Sequence, residues 1–353
     1  MHGARWSMVI VVLAATSATA FARIPAGPPL TECATASSAT LKLICNQQAP
    51  EDLVVLPGDQ WVVASAFSGT GGFNLIRVRD HASVRAYPAT NARRRIEEKR
   101  FPTCPGPPDI PSDATFTTHG LWLQPGPGTV HTLYVVGHGS RESIEAFEID
   151  TRPATPIVTW IGCVIAPEPI GLNAVHALPD GGILATNFLA RNASPDTRAR
   201  MLGGEKNGEM WEWHAVGGWK KIPGSEASGA NGIAMSADGK WYYVAAWGSQ
   251  SFFRLSRGTV TPARDEIRLG FRVDNVRWAK DGSLYATGQT GSREVPDTSS
   301  VVVKINPDTL AVREVYRRRD DATFRFGTVA VEVGDELWVG SYQGDRIAVI
   351  RNP

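Results

Sequence analysis

This 353-residue chain has almost no excess of charge in either direction: Lys and Arg number 36 against 35 Asp and Glu, a formal net charge of +1 at pH 7. That balance argues against the basic face a nucleic-acid partner needs, and against an acidic tail. The densest basic run, Arg93-Arg94-Arg95 with Lys99 and Arg100, is interrupted by Glu97 and Glu98 and reads as a solvated loop or short helix. Long apolar runs are also missing after the start. Met8 to Ala15 is apolar but too short for the ~18 or more residues a spanning helix needs. With Arg5 before it and Ala20-Phe21-Ala22 after it, the run reads as an export signal over residues 1–22, an uncut anchor being the alternative. A periplasmic or secreted chain is the expectation. Cysteine is scarce: four residues at no zinc-binding spacing. An oxidising compartment permits disulfides. Cys33 and Cys45 read as a local clasp, with Cys104 and Cys163 free and buried. Helical periodicity is nearly absent after the signal.

What is present is turn chemistry. The 35 Gly and 24 Pro separate short apolar or alternating runs such as Leu53-Val54-Val55-Leu56 and Trp241-Tyr242-Tyr243-Val244, which read as strands. Six turn signals recur: Pro57-Gly58-Asp59, Pro125-Gly126, Pro179-Asp180-Gly181, Ala237-Asp238-Gly239, Lys280-Asp281-Gly282 and Val333-Gly334-Asp335. Each lies between two strand-like runs, as a hairpin turn does. Their glycines are 68, 55, 58, 43 and 52 residues apart, a spacing that suits four-stranded blades. The expected fold is all-β, a six-bladed β-propeller around a central calcium-binding channel, with a β-sandwich as alternative. The expected division is signal 1–22, N-terminal extension 23–44 and propeller 45–353.

The residues ahead of each turn repeat as well. Glu51, His119 and Asn275 lie seven residues before their turn glycine, Asn173 and Asn231 eight, and Thr328 six. Inner propeller strands would bring these positions to one mouth of the channel. Glu51, Asn173, Asn231, Asp274 and Asn275 offer only oxygen, a hard-donor set suited to Ca²⁺ and short of its full shell of six to eight ligands.

Several segments carry a family resemblance. They are Cys45-Asn46 with Glu51-Asp52-Leu53, Thr118-His119-Gly120-Leu121, Tyr134-Val135-Val136-Gly137-His138, Gly171-Leu172-Asn173, Ala230-Asn231-Gly232-Ile233-Ala234, Val273-Asp274-Asn275-Val276 and Gly327-Thr328-Val329. In this order they resemble the paraoxonase branch of the calcium propellers, itself similar to gluconolactonase and strictosidine-synthase-like proteins. The resemblance implies one catalytic calcium on Glu51, Asn173, Asn231, Asp274 and Asn275. It also implies a proton-shuttling dyad of His119 and His138, with Asp274 as an alternative nucleophile. A small lactone or ester would be the substrate, and no nucleic acid is expected. A scaffold propeller with a purely structural calcium, or a sister activity such as sugar-lactone hydrolysis, are the competing readings.

The chain departs from that pattern. Ala174 stands where the family has an acid of a second, structural calcium, so that ion is doubtful, although Asp52 and the Leu121 carbonyl match the rest of its site. The terminal disulfide partner is missing, so Cys45 needs another partner or stays free. Asn187 matches a family position, but Phe188 replaces an acid beside it. Trp122 is a candidate pocket residue and His176 a packed one. Residues 188–210 read as a mobile loop over the mouth or an ordinary surface connection.

Overall fold

A computed structural model describes residues 30–38, 41–89, 92–108, 116–291 and 298–351. The expected signal, 1–22, lies outside them. Six antiparallel sheets follow one another along the chain. Blade one is Leu53–Val55, Trp61–Ser65, Phe73–Arg77 and Ser83–Tyr87. Blade two is Thr117–Gln124, Val130–His138, Ser143–Asp150 and Ile157–Ile165, with Arg93–Arg94 added in parallel at its outer edge. The basic run therefore includes a short edge strand. Blades three to five open with Leu172–Ala177, Ala230–Met235 and Arg272–Trp278. Blade six is Gly327–Val333, Glu336–Ser341 and Ile347–Arg351, completed by Lys42–Ile44 from the other end of the chain. The expected extension thus supplies the propeller's closing strand.

The first strands of successive blades lie against one another in a closed ring, one to two, onward to six, and six back to one. All six expected turns fall between the first and second strands of their blades. Alternation along the strands sends one set of side chains into the space between blades. Six separate apolar clusters result, one at each blade–blade contact. Between blades one and two, Phe73, Tyr87, Phe147 and Trp160 are buried together. Full burial of one such side chain is worth about 1.5–3 kcal/mol.

Two disulfides brace the rim. Cys33–Cys45 matches the expected clasp. Cys104–Cys163 corrects the expectation of free thiols. The segment around Phe101 folds back over the last strand of blade two, where Arg95 and Glu97 N–H groups donate to Trp160 and Ile161 carbonyls. A Cβ at Gly162 would meet the Phe101 ring at 2.1 Å, and this close approach brings the two cysteine Cα atoms to 5.1 Å.

Candidate metal centre and histidine relay

One irregularity recurs at the start of the inner strands. In blades two to five the pairing with the second strand shifts, so that two residues face one. Those residues are His119-Gly120, Asn173-Ala174, Asn231-Gly232 and Asp274-Asn275. The register also shifts at Thr328 in blade six. A β-bulge re-aims side chains and leaves the inserted residue unpaired, and here it turns the candidate residues toward the axis. Glycine permits the strands to approach. A Cβ at Gly120 would stand 2.4 Å from the Asn173 carbonyl oxygen, and one at Gly232 2.4 Å from that of Asp274.

The five expected ligands are all buried, between 1 % and 5 % exposed. Asn275 Nδ2 donates to Glu51 Oε1 at 2.6 Å, across 224 residues of sequence. Thr328 Oγ1 donates to the Glu51 carbonyl at 2.6 Å. Asp274 engages the side chains of Asn231, Glu51 and Gln289. Glu51 Oε2, Asn173 Oδ1, Asn231 Oδ1 and Asn275 Oδ1 are buried without a hydrogen-bond partner. An orphaned buried oxygen is costly, and four from the same short list call for a common partner. Burial raises the Asp274 carboxyl to about 8. Burial, then the Asp274 and Asp52 charges, raise Glu51 well above its ordinary value. These carboxylates need positive charge to ionise here, and the neighbouring oxygens are the kind calcium takes. The residues present therefore fit a calcium ion. Among the described residues no cluster of three or more His, Cys, Asp or Glu is arranged for a metal, because the donors here are mostly amides.

The acceptors of the doubtful second cation site are already engaged by protein. Arg277, 8 % exposed, forms an ion pair with Asp52 and donates to the Leu121 carbonyl at 3.0 Å. Asp52 also accepts the Leu121 N–H at 2.6 Å and its own neighbour's, Leu53, at 2.8 Å. A guanidinium thus occupies the acceptors that matched the structural calcium. Arg277 was not among the expected site residues. It follows the Asp274-Asn275 bulge, and the reversal of facing there is what sends it inward.

His119 stands beside the ring. Its Nε2 lies 3.3 Å from Asn173 Nδ2 and 3.6 Å from Glu51 Oε2, and its Nδ1 is 3.0 Å from His138 Nε2. Burial, then the neighbouring His138, hold the His119 pKa well below the usual histidine value, so this ring is neutral at pH 7. The expected pair is therefore brought together. His138 in turn meets Glu142, which sequence reasoning missed.

Around the mouth, aromatic rings follow the second strands of the blades: Phe67, Phe188, Trp247 and Tyr342. The Phe67 ring centroid is 4.3 Å from that of His119, and Phe188 and Trp247 are 5.7 Å apart. Trp122 is not part of this collar. It stacks on His176 at 3.6 Å, deeper along the inner strands. Asn187 is engaged structurally, accepting the Gly171 N–H at 3.0 Å and donating to Glu209 at 2.8 Å. The segment after Phe188 contains the helix Pro195–Leu202, N-capped by Ser194. Met201 is fully buried and its carbonyl accepts from Ser228 Oγ at 2.6 Å. These contacts anchor the connection at Met201.

No family model matches the chain, and no curated protein matches it. Solved structures do. It shares the fold of a gluconolactonase. That protein, from Xanthomonas campestris, aligns at a TM-score of 0.54 with 14 % identity, over 93 % of this chain and 99 % of its own. A calcium-binding regucalcin from Agrobacterium tumefaciens aligns at 0.52 with 11 % identity, over 87 % and 91 %. A luciferin-regenerating enzyme aligns at 0.54 with 14 % identity, over 87 % and 93 %. At these identities the similarity is one of fold.

Proposed function

We propose that this chain is a calcium-dependent hydrolase of lactone or ester bonds, of the paraoxonase type, acting outside the cytosol. The observation that carries the reading is the contact between an orphaned ring of oxygens and a histidine pair. A purely structural ion has no need of the pair. Glu51, Asn173, Asn231, Asp274 and Asn275 would hold the calcium, which when bound supplies positive charge to stabilise an oxyanion. His119, neutral and at the mouth, accepts a proton from the water that attacks the carbonyl carbon. It returns that proton to the departing alkoxide, so that an acid and an alcohol leave. Asp274 is hydrogen-bonded by the side chains of Asn231, Glu51 and Gln289, which favours a binding role for it over nucleophilic attack. The aromatic collar favours an apolar acyl or aryl group over a polyhydroxylated sugar lactone. Two disulfides suit an oxidising compartment and support export.

The test is hydrolysis of phenyl acetate, δ-valerolactone and glucono-δ-lactone, each with calcium and with a chelator. The first two should be turned over only with calcium, and faster than the third. His119→Gln should lower kcat by about 10²–10⁴-fold while calcium binding persists. No turnover of any of the three overturns the reading. Preference for the sugar lactone replaces it with the sister activity.

A further inference from the structure

Glu142 lies between the second and third strands of blade two and is 3 % exposed. Its Oε1 and Oε2 are 2.9 and 3.0 Å from His138 Nδ1. Oε1 also accepts the Leu172 N–H at 2.6 Å, and the Arg191 guanidinium lies 3.5 Å from Oε2. The Leu172 N–H and the Arg191 guanidinium can only donate to it.

We propose that Glu142 is the positioning residue of the histidine pair, setting from behind which nitrogen of His119 is free to take a proton. This rests on the hydrolase reading above. A carboxylate flanked by donors only accepts, so His138 Nδ1 carries the hydrogen. In the uncharged form of His138 that one N–H leaves Nε2 bare. It lies 3.0 Å from His119 Nδ1, which must therefore donate to it. His119 Nε2 is then bare and faces the oxygen ring. Asn173 agrees from the opposite side, because its Nδ2 can only donate to that nitrogen, at 3.3 Å. With Nδ2 committed there, Asn173 Oδ1 is the atom left without a partner. One carboxylate thus orders a line of four side chains, from Glu142 through His138 and His119 to the amide of Asn173. When His119 takes up a proton, its Nδ1 hydrogen can pass to His138, whose Nδ1 hydrogen shifts toward Glu142, so the carboxylate stabilises the added charge without touching the substrate.

The experiment uses the full chain with calcium bound. Imidazole ¹⁵N spectra are recorded for the wild type, Glu142→Gln and Glu142→Ala, with His138→Gln identifying the His138 signals. The wild type should show His138 protonated at Nδ1. Glu142→Ala should move that proton partly to Nε2 and lower kcat for phenyl acetate by about 10–100-fold, the scale typical of residues that orient a reactive group from behind, at little changed KM. Glu142→Gln retains an acceptor oxygen and should keep the tautomer while losing part of kcat. A wild-type His138 spectrum in Glu142→Ala overturns the proposal whatever the rates. If that variant does not fold, wild-type kcat in Glu142→Gln overturns it. If the wild type hydrolyses neither phenyl acetate nor δ-valerolactone, the hydrolase reading fails while the ring spectra still decide the role of Glu142.

Discussion

Glu51 and Asp52 are neighbours in sequence, and both are almost completely buried. Their surroundings are opposite. Asp52 is closed off by a guanidinium and two backbone N–H groups. Glu51 keeps an oxygen with no hydrogen bond and sits beside three amide oxygens in the same state. One layer of the channel is neutralised by the chain itself. The layer above it is left to be neutralised from outside. A buried carboxylate thus marks a site only where compensation is missing, and burial alone does not separate the two.

Breaking the closed layer should have the largest effect. Arg277→Met leaves Asp52 buried and unpaired, and should cost about 3–5 kcal/mol in denaturant unfolding. Adding Asp52→Leu should recover most of that loss. A small effect for Arg277→Met alone would mean that the closed layer is not held by charge. The same layer predicts a single calcium per folded chain by elemental analysis.

Filling the open layer comes next. Calcium at 100 to 1,000 times its dissociation constant should stabilise the fold by about 2.7–4.1 kcal/mol, read as a rise in melting temperature that a chelator reverses. Identical melting curves with calcium and with chelator would erase the contrast between the layers.

Acid should sharpen the comparison from below. His176 stacks on Trp122, and burial lowers its pKa to about 3. Below about 6.5 the unfolded chain takes up a proton here that the folded chain refuses. The stability from neutral His176 is therefore complete above about 6.5 and is lost as pH falls toward 3, at up to about 1.4 kcal/mol per pH unit. His176→Phe should flatten that slope in unfolding measured across this range.

The smallest change is expected from neutralising the open layer. In chelator, Glu51→Gln or Asp274→Asn should melt within about 1 kcal/mol of the wild type or above it, since each removes an uncompensated acid. With calcium only the wild type should gain. Marked destabilisation of either variant in chelator would show that the carboxyls hold the fold by themselves.

The six hairpins were legible because each carries local turn chemistry, and the offsets from their glycines pointed to Glu51, His119, Asn173, Asn231 and Asn275. What was hidden depends on register. The repeated bulge is a pairing fault between two strands, and no residue type announces it. Arg277 and Glu142 therefore looked like ordinary charged residues. Cys104–Cys163 was unreadable for a related reason: a back-folding loop, not spacing, brings the pair together. The closing strand Lys42–Ile44 lay inside what read as an extension, because three residues are too few to show alternation.

That closing strand sets an order of events during synthesis. Lys42–Ile44 zips to Ile347–Val349, so the first described strand waits for the last. Glu51 likewise meets Thr328 across 277 residues. A nascent chain can build its middle blades as they emerge, but the circle stays open until the final strand is delivered. Long-range closure of this kind folds slowly and exposes edges meanwhile. Any ion the channel oxygens take is then held tightly only once blade six has closed the ring.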